Sequence, residues 1–196
     1  MKDETVCWVE FEDEATGSPA LATAFAAVAG EDGGVENLYK AMALTPGAIE
    51  PADQLYKQLL HNPDCPFEPW LRELISLQVA MICGSGYAIA HHGANFHHFF
   101  ADRRASEALQ ETVRLGTWEA DVEDGKLRAI LAFNDKLSRF PEAIVEMDIQ
   151  ALRTAGLSEK EIVYLVQISA SFAYWSRVIN ALGIAVGDDP VGLAKV

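Results

Sequence analysis

Apolar residues recur along most of the chain at steps of three and four, the period that lays one stripe along an α-helix. From Pro69 to Cys83, Trp70, Leu71, Leu74, Ile75, Leu77 and Ala80 fall on one broad face for about four turns. The same test predicts helices over Val35 to Leu44, Ala48 to Leu60, Ser106 to Leu115, Lys126 to Phe140 and Met147 to Ala155. A last long helix is predicted over Ser158 to Leu182. Ser158 can cap it while Glu161 returns the bond, and Gly183 is a natural stop. Only Cys7-Trp8-Val9-Glu10-Phe11 alternates in the way a strand would. The fold class expected is all-α.

Turn-forming residues sit at Gly30 to Gly34, Asn62 to Pro66, Gly116 to Asp124 and Gly156, each gap short enough to be a loop inside one domain. The expected organisation is an N-terminal extension, 1–34, carrying one helix, a helical domain over 35–186, and a loosely held tail over 187–196. A shift of 88 residues lays Glu73 on Glu161, Leu77 on Leu165, Tyr87 on Trp175 and His92 on Asn180, which raises an internal two-fold repeat.

Composition narrows the partners. Fifteen Lys and Arg against 29 Asp and Glu give a net charge of −14, which repels a phosphate backbone or an anionic membrane. No nucleic-acid and no membrane partner is expected. Three cysteines, Cys7, Cys65 and Cys83, are too few and too irregular for a disulfide framework. With no signal-peptide pattern at the N-terminus and no apolar run near the roughly 20 residues that span a bilayer, the expected compartment is the cytoplasm.

The richest chemistry lies in Arg72 to His98. A helix breaks at Gly84 and Gly86, and Ser85 is the natural N-cap of the next one, where free amides favour negative charge. Residues 85, 88 and 92 then share a face. Glu73, twelve residues before Ser85, is either a helix-surface carboxylate or a buried partner of a cation such as Arg177, or a functional acid. His92 is a core histidine or a proton carrier, and Tyr87 donates a hydrogen bond or fills volume. Cys83 has the environment of a buried apolar thiol, and a redox role is the alternative. His91, His97 and His98 invite a metal reading, but His91 and His98 are two turns, ~10.5 Å, apart on a helix. No metal and no cofactor is expected.

This stretch resembles the core motif of the alkylhydroperoxidase D-like and carboxymuconolactone decarboxylase superfamily, in which a Glu is followed twelve residues on by C-x-x-C and then by a His. Glu73 and His92 keep the spacing, while Ser85 and Ala88 stand where the two cysteines would be. Asn37-Leu-Tyr-Lys-Ala-Met-Ala-Leu-Thr-Pro-Gly and Tyr174-Trp-Ser-Arg177-Val-Ile-Asn180 are similar to segments of its peroxidase-related branch. The resemblance implies an all-helical homo-oligomer, a dimer or a hexamer, acting on a small molecule. In thiol members it implies antioxidant reduction of hydroperoxides by the paired cysteines, with Glu and His handling protons. A serine hydroxyl cannot replace a peroxidatic thiolate. The reading is therefore a non-thiol acid/base reaction with Glu73 and His92 as the pair and Tyr87 or Ser85 orienting the substrate. The alternative is a non-catalytic oligomeric binding or assembly module.

Overall fold

The computed structural model describes residues 6–13, 17–30 and 33–192. Residues 1–5 of the expected N-terminal extension and the last four residues of the expected tail lie outside the described residues. Among the described residues ten α-helices follow one another: α1 (Pro19–Val28), α2 (Asn37–Lys40), α3 (Pro46–Leu60), α4 (Pro69–Ile82), α5 (Gly86–Phe99), α6 (Arg103–Leu115), α7 (Trp118–Asp121), α8 (Gly125–Arg139), α9 (Glu146–Thr154) and α10 (Glu159–Leu182). A single 3-10 turn, Pro141–Ala143, precedes α9. No strand occurs among the described residues.

Local sequence explains most of the boundaries. Asp102 and Asp124 cap α6 and α8 through their carboxylates, so both helices start earlier than apolar periodicity alone suggests. Ser158 and Glu161 form the expected capping box on α10, and Gly183 ends it at φ +62°. The helix expected over Val35 to Leu44 contracts to the four residues of α2 followed by turns. The alternating Cys7 to Phe11 segment pairs with no strand. Its Trp8 N–H donates to the Leu182 carbonyl at 2.8 Å, at the C-terminus of α10.

Helix α4 is the axis of the molecule. Arg72 to Ala80 are buried without interruption, so the helix is covered on all sides rather than along one stripe. Its residues divide among three apolar clusters: Ala80 with the N-terminal segment and α1–α3, Ile75 and Val79 with α8–α10, Leu74 and Leu77 with α5–α8. One polar group inside joins three helices. Asn134 of α8 donates to the Ile75 carbonyl and to Gln78 Oε1, and accepts from the Ser169 hydroxyl of α10, which ties three helices together.

Helix α10 has the length and apolar composition of a membrane span, 24 residues with mean hydropathy 1.2 over its best stretch. This corrects the expectation that no apolar run approaches that length. Leu165, Ile168 and Phe172 spend that apolar character on the core. The 88-residue shift does not give two similar halves, because it lays the Gly84 break on Phe172, inside uninterrupted α10.

Candidate active site

The turn between α4 and α5 organises the site. Gly84 takes φ +64°, its N–H donates to Met81 O at 3.1 Å, and the next N–H, from Ser85, donates to Ala80 O at 2.9 Å. This pair of bonds closes α4 in a Schellman cap, and α5 begins two residues later. Asn180 of α10 steadies the turn by donating to the Cys83 carbonyl at 2.8 Å. The two helices therefore fold back on each other. Ser85 holds the N-cap position but its hydroxyl makes no capping bond; it is sealed from solvent without a partner. Cys83 is the half-buried C-cap of α4.

The reversal brings Glu73 and His92 together. Nδ1 of His92 lies 2.6 Å from Oε2 of Glu73, which is 2% exposed. An imidazole whose Nδ1–H donates to a carboxylate presents Nε2 as its free, basic nitrogen. Phe172 meets the ring edge-on at 4.5 Å and Tyr56 at 6.2 Å, fixing its plane. The pairing of Glu73 with Arg177 does not occur. Arg177 is exposed on α10 and donates to the Ala173 carbonyl, because the turn packs α5 rather than that face of α10 against Glu73. Arg72 is buried and donates to the carbonyls of Leu60, Asn62, Cys65 and Phe67, clamping the loop that leaves α3.

His92 forms part of the wall of a cavity of about 920 Å³. Tyr87, Ala88 and His91 of α5 line it, with Tyr56 of α3 and Phe172 and Trp175 of α10. Glu73 sits behind His92, and neither Ser85 nor Cys83 reaches the cavity. Of the sequence candidates, His92 and Tyr87 thus face it, Glu73 acts at one remove, and the other two stand apart.

Groups that sequence reasoning passed over complete the lining. Tyr87 donates to Asp189 Oδ2 at 3.0 Å, and the Asn37 N–H donates to the same oxygen at 2.7 Å. Asp189, in the segment after Gly183, is therefore tied to α2 and α5 at the cavity. Tyr39 donates to Asp53 at 2.8 Å. Burial, reinforced by neighbouring carboxylates, pushes the Tyr39, Tyr56 and Tyr87 phenols well above their ordinary range, so all three stay protonated. Glu36 and Asp189 are raised, Glu36 by burial and then by Asp189, Asp189 mainly by burial. Burial, then the neighbouring His92, lowers His91 to about 4, leaving it neutral. Its Nε2 has no partner, and its ring stacks on Tyr87 at 4.3 Å.

The histidine cluster disperses. His97 Nδ1 donates to Ser106 Oγ at 2.7 Å, since that hydroxyl itself donates to the Arg103 carbonyl, and His98 is exposed. Among the described residues no three His, Cys, Asp or Glu side chains converge as metal ligands.

These helices and their connections are those of the alkylhydroperoxidase D-like, peroxidase-related proteins, the all-α fold that the Glu73 to His92 motif leads one to expect. An uncharacterized peroxidase-related protein from Silicibacter sp. TM1040 superposes with a TM-score of 0.76 at 22% identity, over 96% of this chain and 94% of its own. A second, with an alkylhydroperoxidase D core, from Ralstonia eutropha JMP134, gives 0.76 at 20% identity over 94% of each chain. The debrominase Bmp8, as a cysteine-to-alanine variant in complex with 2,3,4-tribromopyrrole, gives 0.70 at 20% identity, over 92% of this chain and 91% of its own. No family model matches the chain, and no curated protein matches its sequence.

Proposed function

We propose that the chain is an enzyme performing cysteine-independent acid/base chemistry on a small organic molecule held in the cavity. The observation that carries this reading is the Glu73–His92 hydrogen bond at 2.6 Å behind the wall of a cavity of about 920 Å³. His92 Nε2 takes a proton from the substrate, and the imidazolium so formed is stabilised by Glu73, whose carboxylate also fixes the ring's tautomer. The protonated phenol of Tyr56 is a donor for negative charge that develops on the substrate, while Tyr87, its proton held by Asp189, orients the substrate. Thiol peroxidase chemistry is left out: Ser85 and Ala88 occupy the paired positions, and no cysteine lines the cavity. A shared fold that holds 2,3,4-tribromopyrrole in the debrominase supports a small cyclic substrate as a starting point.

The test is a thermal-shift screen of small molecules followed by turnover assays on every hit. Glu73→Gln and His92→Ala are each expected to abolish turnover with helical content unchanged, and hydroperoxide reduction with dithiols is expected at background. A robust peroxidase rate lost in Cys83→Ser overturns the proposal. Ligands that stabilise the protein and are never converted leave the binding module in its place.

The proposal includes self-association. Met147 is 79% exposed in the isolated chain, and Phe140, Val145 and Val163 are each more than half exposed, an apolar surface that a partner copy would cover. Light scattering at micromolar concentration is expected to give a dimer or a hexamer; a monomeric mass removes this part.

A further inference from the structure

Among the described residues the cavity is lined by more carboxylates than cations. Four carboxylates face it, Glu36, Asp53, Asp188 and Asp189, against two lysines, Lys40 and Lys57. Asp53 is occupied, accepting from Tyr39 and pairing with the Lys57 ammonium at 2.7 Å. Asp189 accepts the Asn37 N–H and the Tyr87 hydroxyl and feels Lys40. Glu36 differs. It stands at the N-cap of α2 but makes no capping bond, it forms no ion pair among the described residues, and it shares the Tyr87 hydroxyl with Asp189. Its side chain is open to the water of the cavity while protein surrounds it, and Asp189 pushes against it. A carboxylate without an ion-pair partner in a concave site with low-dielectric walls concentrates negative potential around it.

The neighbouring walls say which kind of cation fits. A hydrated metal ion wants several converging oxygen ligands, and no such set forms among the described residues. An organic ammonium wants one or two carboxylates and aromatic faces. Aromatic rings in the lining are Tyr87, stacked on His91, and Trp175. His91 lies in the same wall, is 8% exposed and is neutral, so it sets no positive charge against a cation there.

We propose that the cavity binds a small organic cation, its ammonium group at the Glu36 and Asp189 end and its apolar body laid along Tyr87 and Trp175 toward His92. This names the substrate class of the acid/base enzyme proposed above and rests on that reading of the cavity.

Isothermal titration of the intact protein with benzylamine, benzyl alcohol and benzoate compares one body at three charges. Benzylamine is expected to bind at least ten-fold more tightly than benzyl alcohol, and benzoate not at all. Glu36→Gln is expected to erase the preference while leaving benzyl alcohol binding and Tm intact, and Glu36→Lys to turn it toward benzoate. Equal binding of the three, benzoate as the tightest, no heat from any of them, or a preference that survives Glu36→Gln overturns the proposal. So does saturable binding of magnesium chloride that displaces benzylamine. His92→Ala separates the two proposals, since it is expected to keep the benzylamine preference. If cations bind and none is ever converted, the acid/base reading falls and this one stands; if the molecule turned over is neutral or anionic, the reverse holds.

Discussion

Glu73 and His92 are 19 residues apart in the chain, and so are Glu161 and Asn180, their counterparts under the 88-residue shift. The first pair meets at 2.6 Å. The second lies along one continuous helix, α10, and is separated by about 28 Å at 1.5 Å per residue. The difference is Gly84. A left-handed residue with a Schellman cap reverses the chain between the first two, whereas Phe172 at the equivalent place leaves the helix straight. Spacing in sequence becomes a site only where the backbone turns. The straight member then serves the bent one, because Asn180 holds the Cys83 carbonyl at the turn while Glu161 is taken up by Ser158 and Lys126.

The sharpest way to break this comparison is through Arg72, whose counterpart is the exposed Lys160. Arg72→Met deprives four carbonyls of their donor in the interior and is expected to lower stability by about 3–5 kcal/mol in urea denaturation. Lys160→Met is expected to stay within about 0.5 kcal/mol.

Next comes His91, opposite Ile179, which does not titrate. A histidine held neutral down to about pH 4 in the folded chain and protonated near 6.5 when unfolded supports folding fully above pH 6.5 and progressively less toward pH 4. Wild type is expected to lose roughly 3 kcal/mol over that interval relative to His91→Phe. Parallel stability curves for the two proteins contradict it.

Glu73 and Glu161 come third. Glu73→Ala leaves a buried imidazole N–H without its acceptor, at a cost of about 1–3 kcal/mol, and removes turnover. Glu161→Ala loses a capping box and is expected to cost about 1 kcal/mol with turnover unchanged. At the turn itself the expected effect, that of Gly84→Ala, is small. No atom lies within 4 Å of the added Cβ, so only the strain of φ +64° remains, about 1 kcal/mol by thermal denaturation.

The legible part of the molecule was local. Helix ends at Ser158 and Gly183 and the break at Gly84 follow from residues within one turn of each other, and the Glu73–His92 pair follows from that break. The rest depended on contacts with no local trace. Arg72 is satisfied by main-chain carbonyls, which any residue supplies, so no motif marks its clamp. Glu36, Tyr56 and Asp189 reach the cavity from three separate segments, each polar in a way a loop or helix surface also would be. The partner expected for Glu73, Arg177, was chosen by charge, and packing set it on the wrong face of α10.

The closing of the cavity by Asp189 has a consequence for the order in which the protein is made. Asn37 and Asp189 are 152 residues apart, and Val6 accepts from the Ala185 N–H across a still longer interval. The central helices can pack while translation continues, but the wall that joins α2, α5 and the segment after Gly183 cannot exist until residues 185–189 have left the ribosome. Ligand binding is thus a property the nascent chain acquires last.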